Sequence, residues 1–114
     1  MDEPWALWPP SSFLGGLIQN AFAAHGLKVP RTTVSTPSTY ALNVLVANGP
    51  FLTILPGATL RFPEKQPLLT AIAVDMRSTR NPMCLISLKE RSLSPAAKLF
   101  AEQASTVAKA MVKR

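Results

Sequence analysis

The side chains able to do acid, base or nucleophilic chemistry are few in this chain of 114 residues. There is one histidine, His25, and one cysteine, Cys84. A lone cysteine cannot form an internal disulfide, and a two-cysteine redox pair or a cysteine-rich zinc site is excluded with it. The six acids, Asp2, Glu3, Glu64, Asp75, Glu90 and Glu102, lie in chain ends, loops or charged segments. No two of them have the helical spacing that metal binding or paired acid-base work requires. No phosphate-cradling glycine loop, nucleophile elbow or H-E-x-x-H occurs. An enzyme is therefore not expected, nor a metal or cofactor. His25 reads as a helix-end residue, where a partly charged imidazole complements the dipole.

Hydroxyl-rich helix starts are the remaining source of chemistry. Two are legible, Pro9-Pro10-Ser11-Ser12-Phe13 and Ser35-Thr36-Pro37-Ser38-Thr39. Free N–H groups at a helix start carry a positive dipole end, so each could bind a carboxylate with hydroxyl and backbone donors. The same residues also suit plain caps and turns. A third loop, Asn48-Gly49-Pro50-Phe51, offers a tight turn and an aromatic that could wall a pocket or simply fill a core.

The elements that must position these residues follow from periodicity. Trp5 to Trp8 is a short strand-like run closed by Pro9-Pro10. Apolar residues at Phe13, Leu14, Leu17, Ile18, Ala21 and Phe22 then make a helical stripe running to His25, with Ser11 or Ser12 as N-cap and Gly26 as its stop. Arg31 to Ser35 is β-branched and strand-like. Pro37-Ser38 opens a second helix with an inner face of Ala41, Leu42, Leu45 and Val46, ended by Gly49. Phe51 to Leu55, between Pro50 and Pro56, suits a strand buried on both faces. Such β-α-β-α-β alternation predicts an α/β fold with a mainly parallel sheet, right-handed crossovers and helices on both faces.

Further along, the pattern predicts one helical turn over Gly57 to Phe62 and strands over Leu68 to Val74 and Met83 to Lys89. A loop over Asp75 to Pro82 separates the strands. Burial of Cys84 follows from the apolar run that holds it. Ser94-Pro95 starts a final helix to about Val112, with Ala96, Phe100, Ala104, Val107 and Met111 on one face.

Composition bounds the class. With 47% hydrophobic and 16% charged residues the chain is too apolar to be disordered and long enough to bury a core. Two uncharged stretches, Pro4 to Leu27 and Thr32 to Leu60, are interrupted by prolines, so they read as buried soluble elements rather than membrane spans. The opening Met-Asp-Glu-Pro-Trp has no secretory pattern, and a cytoplasmic location is the expectation. The net charge of +6 comes from the second half, where Lys and Arg are scattered rather than clustered. That reads as a solvated surface with weak, salt-sensitive nucleic-acid contact at most.

The run from Ser38 to Pro56 resembles the "lVaaGxGIxxLP" segment in the effector-binding domain of LysR-type transcriptional regulators. Leu45-Val46-Ala47-Asn48-Gly49 and Leu52-Thr53-Ile54-Leu55-Pro56 carry the match. Ser87 to Phe100 is similar to the family's "r.Lspaa+.F" ending, and Glu3-Pro4-Trp5 with Pro9-Pro10-Ser11-Ser12 fits its entry to the second subdomain. Phe51 departs from the motif by replacing the second glycine, which implies a more restricted backbone and a bulkier wall.

The resemblance implies a three-layer sandwich that forms one lobe of a periplasmic-binding-protein-like (type 2) fold. Residues 1–90 would be the second, effector-binding subdomain. Residues 91–114 would be a crossover and a C-terminal helix that packs with the first lobe. The implied function is sensing of a small-molecule effector, a carboxylate or a sugar derivative, in the interlobe cleft to control transcription. Carried over by position, Pro10, Ser11, Ser12, Phe13, Ser35, Thr36, Ser38, Gly49 and Phe51 are the candidate ligand-binding residues. DNA would be read by a separate N-terminal helix-turn-helix, and self-association through the last helix is expected. The alternative is a lobe of a solute-binding transport protein of similar fold.

Overall fold

In the computed structural model, residues 2–61 and 69–112 are described. Phe62, Leu68 and the terminal Lys113 and Arg114, on which some of the expectations above fall, lie outside them. The chain divides into two compact units, Met1–Arg80 and Asn81–Arg114.

The first unit is built on two strands and two helices. Strand β1 spans Trp5–Leu7 and helix α1 spans Phe13–Ala24. Strand β2 spans Thr32–Ser35 and helix α2 spans Thr39–Asn48. The strands pair in parallel, with Trp5 opposite Thr32, Ala6 opposite Val34 and Leu7 opposite Ser35. A single parallel bridge joins Trp5 to Leu52 on the other side of β1, with Ala6 N donating to the Leu52 carbonyl at 2.9 Å and Leu52 N to the Pro4 carbonyl at 2.9 Å. The first four elements of the expected β-α-β-α-β order are therefore present, and the fifth, the Phe51 to Leu55 strand, is reduced to that one bridge.

Both helices begin and end where their residues dictate. Ser12 caps α1, its hydroxyl oxygen accepting from Gly15 N at 3.0 Å. At the other end Gly26, at φ 66°, takes the left-handed conformation that a β-carbon disfavours. There Gly26 N donates to the Ala23 carbonyl and Leu27 N to the Phe22 carbonyl, each at 2.9 Å, which closes the helix in the paired pattern typical of a glycine stop. Ser38 caps α2 through Ala41 N at 3.1 Å, and Gly49 ends it in extended backbone.

The core follows the helical stripes in part. Ala6, Leu7, Ile18, Ala21 and Leu42 are its buried apolar residues among those described. Leu42 is completely covered, so α2 is anchored on β1 by the residue its stripe predicts. Phe13, assigned to the inner stripe of α1, is instead 72% exposed, because the cap at Ser12 starts the helix one residue before its covered face begins.

Beyond Leu52 the sequence-based expectations fare less well. A short helix α3, Ala58–Arg61, forms within the expected turn. The described part of the expected Leu68 to Val74 strand, from Leu69 onward, is not a strand, and neither is Met83 to Lys89. The Asp75 to Pro82 loop holds a 3-10 turn at Arg77–Thr79, packed on α1. Asp75 accepts from the Arg77 amide at 3.0 Å and pairs with its side chain at 3.2 Å.

In the second unit, Cys84 is exposed, correcting the expectation that its apolar run would bury it. Met83, Leu85, Ile86 and Leu88 are exposed with it: β-propensity needs a partner strand, and none pairs with this run. Helix α4, Pro95–Val112, starts as expected, with Ser94 Oγ accepting from Ala97 N at 3.2 Å. Its partly covered positions are Ala97, Ala101, Ala104 and Met111, whereas Phe100 and Val107 of the expected stripe stay exposed. Among the described residues, no helix is long and apolar enough to cross a membrane.

Candidate ligand edge

Parallel pairing decides which candidate residues meet. Because Leu7 and Ser35, the last residues of β1 and β2, stand opposite each other, the segments that follow them leave the sheet at one edge. Thr36 N donates to the Leu7 carbonyl at 3.1 Å and extends the pairing one step into the loop. The loop to α1 and the loop to α2 therefore share the edge where an open α/β sheet binds ligands. Pro10, Ser11, Ser12 and Phe13 belong to the first, and Ser35, Thr36 and Ser38 to the second.

Hydroxyl hydrogens distinguish the two helix starts. Ser12 Oγ donates to the Pro9 carbonyl at 2.6 Å while accepting from Gly15 N, so its hydrogen is already used. The same carbonyl also accepts from Ser12 N at 2.9 Å. At α2, Ser38 Oγ accepts from Ala41 N and Thr36 Oγ1 accepts from Ser38 N at 3.2 Å. A serine or threonine hydroxyl has one hydrogen to give, and those of Thr36 and Ser38 find no acceptor among the described residues. With the first-turn amides of Thr39 and Tyr40, which have no intrahelical partner, α2 presents four donors. The start of α1 presents the Phe13 and Leu14 amides and the Ser11 hydroxyl ahead of its cap, three donors, with no hydroxyl hydrogen from the cap itself.

Gly49 and Phe51 are not brought to this edge. Leu52 pairs with Trp5, the first residue of β1, so the turn before it lies at the opposite end of the sheet. The physical reason is the length of α2: ten residues at about 1.5 Å each carry the chain roughly 15 Å back along the strands. There the Phe51 ring lies on Gly49, where a β-carbon would stand 3.0 Å from Phe51 Cδ2.

Two features of the edge carry no sequence signal. One is the use of the Ser12 hydrogen by Pro9. The other is Trp8 Nε1, just past β1, which is buried without a hydrogen-bond partner. An unmet buried donor costs about 1–3 kcal/mol, which an acceptor reaching it would offset.

The parallel pairing thus puts two donor-bearing helix starts at one sheet edge, and among the described residues no group of three or more metal-ligating side chains gathers. The family model of the LysR substrate binding domain matches residues 1–109. The chain belongs to that family, the ligand-sensing part of LysR-type transcriptional regulators, whose fold is of the periplasmic-binding-protein type 2 kind. No curated protein and no solved structure matches it significantly.

Proposed function

We propose that this chain contributes the second lobe of a LysR-type effector-sensing domain and grips the effector at the edge where α1 and α2 begin. The observation that carries this reading is the register of Leu7 against Ser35, from which both helix starts follow at one sheet edge. Thr36, Ser38 and the Thr39 and Tyr40 amides favour a ligand with a carboxylate or closely spaced hydroxyls, as in a small organic acid or sugar derivative. Ser12 acts by holding the first loop rather than by donating to the ligand.

In a whole regulator of this kind, a first lobe would close over the ligand and a separate helix-turn-helix would read DNA, within the cytoplasm. One wall alone forfeits much of the ligand's burial. If roughly 4 kcal/mol is lost, affinity for the isolated chain falls about a thousandfold, into the millimolar range for a micromolar effector. Helix α4 would meet the first lobe or a second copy of the chain through its uncovered Phe100 and Val107. The test is a reporter assay on a regulator carrying this domain. Thr36→Val with Ser38→Ala should abolish the effector response and leave promoter binding intact; an unchanged response would return these residues to capping alone.

A further inference from the structure

A cavity of about 690 Å³ opens in the first unit, away from the edge where the helices start. Its walls come from β1 (Trp5), the end of α1 (Phe22), the segment after α2 (Phe51, Leu52, Ile54) and Ile72. The volume lies within the range of pockets that enclose small molecules, roughly 300–1,000 Å³. Its aromatic walls pack on their neighbours. The Trp5 and Phe22 rings meet edge to face with centroids 6.2 Å apart, and Phe51 is seated on Gly49.

Its chemistry selects the ligand class. Trp5 Nε1 and Thr53 Oγ1, buried polar atoms without a partner on its wall residues, are sealed from solvent and do not face the open space. The ionisable groups on its described lining are two, His25, whose Nδ1 meets the Ala21 carbonyl at 3.0 Å, and Asp75, which is paired with Arg77. The surface left to a ligand is mostly rings and aliphatic carbons, with the Thr59 and Thr70 hydroxyls as neutral polar groups on it, and burying a charge there without an ionic partner is costly.

We propose that this cavity is a second binding site, for an uncharged aromatic or alicyclic molecule, independent of the effector edge at Thr36 and Ser38. Burial of apolar ligand surface drives binding, and the concave aromatic wall shapes it.

The experiment uses bromocyclohexane, an uncharged molecule whose bromine quenches indole fluorescence on contact. In the full chain carrying Trp8→Phe, leaving Trp5 as the only tryptophan, quenching should saturate at one molecule per chain. In the Trp5→Phe chain, Trp8 should show only unsaturable collisional quenching. Cyclohexanol should displace the probe, and cyclohexanecarboxylate should do so about tenfold less well. Val46→Phe or Thr59→Phe, each filling the cavity from a different helix, should weaken binding about tenfold, read in whichever variant keeps the helical circular dichroism. Ser38→Ala should leave it unchanged, which separates this site from the effector edge. Unsaturable quenching of Trp5, equal quenching of Trp8, or equal displacement by the carboxylate would overturn the proposal. So would loss of probe binding as the protein is concentrated, because a second copy would then be the occupant.

Discussion

Ser12 gives its hydroxyl hydrogen to the Pro9 carbonyl at 2.6 Å, whereas Ser38, the equivalent cap on α2, gives its hydrogen to nothing within the described residues. Two serines in matching sequence contexts thus have different capacities. Ser12→Ala should lower stability by about 1–2 kcal/mol, through loss of the cap and of the tie to Pro9, with little change in ligand affinity. Ser38→Ala should lower stability by about 1 kcal/mol and weaken anionic ligands about tenfold. Urea denaturation and ligand titration of both variants check this, and equal affinity losses would contradict it.

Gly15 faces the same carbonyl. A β-carbon there would collide with the Pro9 oxygen, a backbone atom that cannot swing aside. Gly15→Ala should cost about 1–3 kcal/mol despite the better helix propensity of alanine. Gly16 sits next to it with open space above, so Gly16→Ala should stabilise by roughly 0.5–1 kcal/mol. Thermal denaturation of the pair separates the collision from propensity.

Cys84 is exposed, so a thiol reagent should label the native chain at close to the rate found in urea. Strong protection of the native thiol would mean that the run from Met83 to Leu88 is covered.

Phe100, at 66% exposure, and Val107, at 50%, leave an apolar strip on α4. Sedimentation should show concentration-dependent association, which Phe100→Ser with Val107→Ser should reduce. A strict monomer at high concentration would refute the role given to this strip.

The local elements were legible where a cap or a stop has a chemical signature. Ser12, Ser38, Ser94 and Gly26 bound their helices as the spacing predicts, and Trp5 to Leu7 and Thr32 to Ser35 form the expected parallel pair. Where structure depends on a remote partner, the local pattern misleads. Met83 to Leu88 has the composition of a strand, but backbone donors and acceptors need a neighbouring strand, so Cys84 is exposed rather than buried. The candidate edge was half legible. Strand order and parallel pairing put the loops of Ser12, Thr36 and Ser38 at one sheet edge, as alternation implies. Gly49 and Phe51, although adjacent in the same motif, end at the opposite edge because an intervening helix carries the chain back. The unequal donor capacity of Ser12 and Ser38 depends on one carbonyl, that of Pro9, and no residue spacing reveals it.

The central claim, that ligands are held at the start of α2 beside the start of α1, is tested most directly by titrating the isotope-labelled chain with small carboxylates and polyols while following backbone amide resonances. The account predicts saturable shifts, in the millimolar range, at Thr36, Ser38, Thr39 and Tyr40, with smaller ones at Phe13 and Leu14. Saturable shifts confined to other residues, or none at these six amides with any ligand, would contradict it.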